Sequence, residues 1–234
     1  PSNILIDYCM YNRCYTHPFA DKSCAKNEKP QLRMQQWRDL MGGAVPSIYG
    51  YHFDCWGQRE LTPVERVIQD EMKWARDFGV TYWHTELFQN RLETVKGKPA
   101  PDPLDDQILT LRFPVYCATR LAWNPDLDLG DVKRDWCTRV YGAAKDEMAA
   151  YFTALEDLWS AATTHPSWYF VGPSEFVDGI LNAANIAKID ALFAAGEKKL
   201  AGSTDARAKD NFTLDRRQWE HWRDMKLARD SRRQ

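Results

Sequence analysis

Long apolar runs are missing from this 234-residue chain. No stretch approaches the roughly twenty consecutive apolar residues of a membrane-spanning helix, and the first residues lack the basic, then apolar, then small-residue order of a signal peptide. The sequence opens on Pro1 rather than Met, so we expect a piece of a longer chain in which a leader could lie upstream. Excess charge of one sign is also missing. Lys+Arg number 31 and Asp+Glu 33, a net charge of -2, which argues against nucleic acid or a membrane as the main partner. The last 28 residues do carry nine basic and five acidic residues, but their interleaved tryptophans indicate a packed helix with a solvated basic face.

Cysteine is scarce too, with six in the chain, too few for a disulfide scaffold. Four potential metal ligands fall close together in Cys9, Cys14, His17 and Cys24, but the C-x4-C-x2-H-x6-C spacing lacks the paired short knuckles of a structural zinc site. No metal is expected there. A disulfide among Cys9, Cys14 and Cys24 and simple buried thiols are the alternatives.

What the chain does have is 44% hydrophobic and 13% aromatic residues, enough for a substantial core. Its first hundred residues alternate apolar runs with helical patterns. "NILIDYCMY" (3–11), "AVPSIYGYHF" (44–53) and "GVTYWHTELF" (79–88) have the character of strands. Between the last two, "TPVERVIQDEMKWARDFG" (62–79) sets Val64, Val67, Ile68, Met72, Ala75 and Phe78 along one helix face, with Thr62 as N-cap, Pro63 at the first helical position and Gly79 as the stop. Strand, helix, strand in this order implies a parallel crossover. The segment "KGKPAPDPLDD" (96–106) then marks a boundary. Only helical patterns follow, around 105–121, 131–141, 146–162, 174–200 and 205–228. Met148, Tyr151, Phe152, Leu155, Leu158 and Trp159 give the strongest stripe, and Phe212, Trp219 and Trp222 share a face in the last segment. Pro114 falls inside the first of these segments and is expected to break it.

Two strand ends carry the chemistry. Alternation puts Gly50, His52 and Asp54 on one face of their strand, and Tyr82, His84 and Glu86 on one face of theirs. Each strand end thus offers an imidazole with a carboxylate, and parallel barrels build their active sites at strand C-termini. Glycosidic bond cleavage uses two carboxyl groups, one protonating the leaving oxygen and one acting as base or nucleophile. Asp54 and Glu86 are the catalytic candidates. Tyr51, Trp56 and Tyr82, with His52 and His84, are the groups expected to contact a sugar. The polar loop after the first strand (7–27) adds Asn12, Arg13 and His17 as contacts for a polyhydroxylated or carboxylated ligand. Metal-assisted hydrolysis with both histidines and both acids as ligands is a further reading of the same residues.

The segments "CMYNRCYTHPFADKSCAKNEKPQLRMQQW", "IYGYHFDCW", "GVTYWHTE" and "LAWNPDLDLGDVKRDWCTRVYGAAKDEMAAYFTALE" resemble the bacterial family known as domain of unknown function 4838. That family is similar to alpha-glucuronidases and beta-hexosaminidases of polysaccharide-degrading bacteria. The resemblance implies an α/β fold, the C-terminal part of a TIM-type (β/α)8 barrel over residues 1–100, followed by an all-α helical domain over 101–234. It implies Asp54 and Glu86 on the water-activating side, with the general acid on an earlier strand in the missing N-terminal part of the barrel. A glycoside hydrolase acting on oligo- or polysaccharide, with uronic-acid-containing glycans among the expected substrates, in the periplasm or outside the cell, is the function that follows. Such chemistry requires no cofactor. A glycan-binding barrel without catalytic activity is the competing expectation.

Overall fold

A computed structural model of the chain describes residues 5–10, 12–53, 63–85, 111–162 and 180–233. Three short parallel strands, β1 (Asp7–Cys9), β2 (Ser47–Gly50) and β3 (Trp83–Thr85), form one sheet in the order β1-β2-β3. Each is shorter than the apolar run that announces it. The register pairs Tyr8 with Ile48 and Ile48 with Trp83, then Tyr49 with His84 and Gly50 with Thr85. Partners in a parallel pair share a face, so the register divides the strand residues into two sets.

Two helices make the crossovers. Helix α1 (Ala25–Leu40) joins β1 to β2, and α2 (Glu65–Phe78) joins β2 to β3. Both lie on the same face of the sheet. Met34 from α1 and Ala75, Trp74 and Phe78 from α2 pack with Met10, Phe19, Ile48, Tyr8 and Trp83 in one apolar cluster. The Trp74 and Phe78 rings stack with centroids 4.8 Å apart, and Phe19 meets Trp74 edge-on at 4.5 Å. Helix α2 follows its predicted stripe and stops at Gly79, whose φ of 93° lies in the left-handed region open to glycine. Its expected N-cap Thr62 is outside the described residues, and Val64 occupies the cap. Helix α1 has no counterpart in the sequence analysis, since its charged residues and internal Pro30 hide any apolar stripe.

The rest is helical: α3 (Arg112–Trp123), α4 (Leu129–Tyr141), a 3-10 turn (Gly142–Ala144), α5 (Lys145–Ser160), α6 (Ala183–Ala201) and α7 (Ala206–Arg233). Pro114 sits in the first turn of α3, where a missing N–H interrupts no helical bond, so the helix begins at Arg112 and runs unbroken. Asp128 caps α4 by accepting from the Asp131 amide at 2.8 Å, and Asn182 caps α6 through the Asn185 amide at 2.9 Å. Met148, Tyr151, Leu155 and Trp159 are buried, as are Phe212, Trp219 and Trp222, so both predicted stripes face the core.

This helical layer shares its core with the α/β part. Tyr15, Tyr51, Phe53, Val64, Ile68 and Met72 belong to the same apolar cluster as the residues of α3 to α7. Polar bonds cross the seam as well. Gln69 donates to the carbonyls of Pro125 and Leu127 at 3.0 and 2.6 Å, and the Trp159 indole donates to the Tyr15 carbonyl at 2.7 Å. The boundary expected near residue 100 falls outside the described residues.

Candidate active site at the strand ends

The sheet carries two different environments, one on each face. On the helix-covered face, His52 folds back over Gly50. A Cβ at Gly50 would lie 2.6 Å from the His52 ring and 3.4 Å from Thr85 Oγ1, so only glycine leaves room for this arrangement. His52 Nδ1 is 3.3 Å from Thr85 Oγ1, and its backbone N–H donates to the same oxygen at 3.2 Å. Its Nε2 lies 3.3 Å from Glu71 Oε1. The Trp83 indole donates to that carboxylate oxygen at 2.7 Å, and Arg13 forms an ion pair with the other.

Arg13, His52 and Glu71 are each 0% exposed. The Arg13 guanidinium lies between the rings of Tyr15 and Phe19, at 5.0 and 5.1 Å from their centroids, and its Nε donates to the Cys14 carbonyl at 3.1 Å. Burial lowers the Arg13 pKa to about 10, still well above neutrality. Burial first, and then the charge of Arg13, hold His52 well below the usual imidazole range. The ring is therefore neutral at pH 7. Glu71 is the anion that makes the burial of Arg13 tolerable, since an unpaired charge in the interior is costly.

The other face is not covered by α1 or α2. There the Tyr49 and His84 rings lie 4.5 Å apart, Tyr82 and His84 5.1 Å, and Tyr49 and Tyr51 4.9 Å. Tyr82 is 55% exposed, and His84 and Tyr49 are half-buried. His84 Nδ1 is buried without a hydrogen-bond partner among the described residues. An aromatic and imidazole surface of this kind can stack on a sugar ring and hydrogen-bond its hydroxyls.

The two predicted histidines thus lie on opposite faces of the sheet. They do not converge on one point, which removes their joint coordination of a single ion. Of the loop residues, Asn12 is exposed at the rim of a groove of about 470 Å³ along β1, together with Lys26, Lys29 and Arg33. Arg13 turns inward to Glu71. His17 is half-buried, with Nδ1 3.3 Å from both Cys14 Sγ and Thr16 Oγ1. Tyr51 is buried beside Tyr49. Asp54, Trp56 and Glu86 lie outside the described residues, although His52 leads to Asp54 two residues on and Thr85 is followed directly by Glu86.

Glu71, Tyr49 and Thr85 are site residues that no motif in the sequence singles out. A signal for Glu71 exists: it falls three residues after Ile68 and four before Ala75, inside the apolar stripe of α2, where a solvated acid has no place. No protein-family model, curated protein or solved structure matches the chain.

Proposed function

We propose that this chain is the C-terminal part of a carbohydrate-active TIM-type barrel that hydrolyses glycosidic bonds, with substrate on the face of the sheet that carries Tyr49, Tyr82 and His84. The observation behind this reading is that face: an aromatic and imidazole surface that runs along the strands from Tyr82, just before β3, to His84 within it, left clear by both crossover helices, with Glu86 following β3 in the chain. The strand order agrees with a barrel. Strands adjacent in sequence are adjacent in the sheet with both helices on one face, an arrangement that part of a singly wound barrel and one half of a doubly wound sheet share.

Under this reading Glu86 and Asp54 activate the attacking water, and the acid that protonates the leaving oxygen comes from an earlier strand in the upstream part of the gene product. Arg13, His52 and Glu71 hold the fold: they tie the loop after β1 and the ends of β2 and β3 to α2. Tyr82 and His84 stack against and hydrogen-bond the sugar. The intact gene product, assayed against aryl glycosides and uronic-acid-bearing xylan fragments, tests the proposal. Folded Asp54→Asn and Glu86→Gln proteins should lose activity by about a thousandfold or more. A wild type that binds glycans without cleaving them, with both variants binding equally well, replaces hydrolysis with the binding-protein reading.

A further inference from the structure

The loop between β1 and α1 gathers three strong metal donors that the hydrolytic reading does not use. We propose that Cys14, His17 and Cys24 bind a divalent d-block cation of the zinc class. Their ligand atoms, Cys14 Sγ, Cys24 Sγ and a His17 ring nitrogen, all lie within 4.8 Å of one another. Cys14 Sγ is 3.3 Å from His17 Nδ1. In a tetrahedral zinc site, bond lengths of about 2.3 Å to sulfur and about 2.0–2.1 Å to nitrogen set ligand atoms roughly 3.6–3.8 Å apart. The three donors need only small side-chain rotations to reach that spacing.

The backbone holds them in place before any ion arrives. Asn27, buried in α1, accepts from the Cys14 amide at 2.8 Å and donates to the Pro18 carbonyl at 3.0 Å and toward the His17 carbonyl at 3.5 Å. One side chain thus clamps both sides of the loop. Cys24 is the N-cap of the 16-residue helix α1, so the helix start fixes its place beside the loop. Cys14 and Cys24 are 0% and 2% exposed, while His17 is half-buried and gives an ion a way in. Thr16 Oγ1, 2.9 Å from Cys14 Sγ, stands beside the fourth position, which water or that hydroxyl would fill. Two thiols and an imidazole select a borderline-soft ion such as Zn²⁺ over Mg²⁺ or Ca²⁺. Binding displaces the two thiol protons to solvent and ties the residue next to Arg13 to the start of α1.

The site uses none of the residues of the proposed sugar-binding face, so it stands or falls independently of the hydrolytic reading. The test is titration of the reduced full chain with Co²⁺, whose thiolate charge-transfer and visible d–d bands report sulfur ligation, followed by displacement with Zn²⁺. One equivalent of Co²⁺ should bind with both bands. Cys14→Ser and Cys24→Ser should lose most of the charge-transfer intensity, and Cys9→Ser, at an exposed residue of β1, should keep it. Because Cys14 is buried and its variants could unfold, His17→Gln is the decisive variant. It should fold normally and bind the ion about a hundredfold more weakly or worse, since even outer-shell losses cost about 10–100-fold. Absence of stoichiometric binding, unchanged affinity in His17→Gln, or a Cys14–Cys24 disulfide mapped in natively purified protein would overturn the proposal.

Discussion

Replacing Glu71 with Gln changes almost nothing in shape and removes one charge. The Trp83 indole, 2.7 Å from Oε1, can still donate to the amide oxygen. The Arg13 guanidinium cannot recover its counter-ion, because both side chains are 0% exposed. Breaking a buried pair by removing one partner costs about 3–5 kcal/mol. With a urea m-value of about 3 kcal/mol/M for a chain of this size, the midpoint should fall by about 1–1.7 M. Urea unfolding followed by tryptophan fluorescence measures it, with an unchanged slope showing that compactness is preserved. The companion double variant Arg13→Met, Glu71→Met removes both charges, and should be more stable than either single variant, because the cost lies in the orphaned charge. A Glu71→Gln midpoint within about 0.3 M of wild type, or a double variant as unstable as the summed singles, would refute the assignment of Glu71 as the neutraliser of Arg13.

Gly50→Ala should cost about 1–3 kcal/mol by driving a methyl group into the His52 ring, 2.6 Å from where the Cβ must sit. Adding His52→Ala should return part of that loss, and thermal unfolding of the cycle checks it. His52 is held well below its usual pKa, so the unfolded chain takes up its proton first as pH falls. Stability from this residue is complete above about pH 6.5 and drops by up to roughly 1.4 kcal/mol per pH unit below it, a slope that His52→Gln should reduce. Glu65 has the opposite sign. Burial, aided by the nearby Glu156 carboxylate, raises its pKa to about 8, so the folded state holds a proton that the unfolded chain has lost. That stability is present below the unfolded carboxyl range and fades as pH rises through about 8. Glu65→Gln should therefore raise the urea midpoint at pH 8.5 relative to pH 5, and an equal effect at both pH values contradicts it.

The helical layer and the crossover order are legible in the sequence because both depend on periodicity. Val67, Ile68, Met72 and Ala75 mark α2, and Met148, Tyr151, Leu155 and Trp159 mark α5, through spacing that any buried helix face must keep. Strand length is not legible in the same way. Apolar residues such as Phe53 remain buried beyond the last ladder bond, so the runs outlast the strands they contain. The site is only half visible for a reason of register. Alternation places residues within one strand, but the relation between strands requires the pairing, and it is the match of Tyr49 with His84 that puts His84 and His52 on opposite faces. Cys14, His17 and Cys24 escape a spacing rule because a closed loop clamped by Asn27 brings them together without short knuckles. Arg13 has the residue type of a ligand-binding side chain, and only the position of Glu71 in α2 shows its inward role.

The division between the two faces is the centre of this account, and paired alanine substitutions on the intact gene product test it most directly. His84→Ala should lower kcat/KM on the best glycoside by at least about tenfold while leaving the urea midpoint near wild type. His52→Ala should do the reverse, lowering the midpoint while the folded fraction retains its kcat/KM. If His52→Ala abolishes turnover in fully folded protein and His84→Ala leaves it intact, the substrate lies on the helix-covered side and the proposed site is on the wrong face of the sheet.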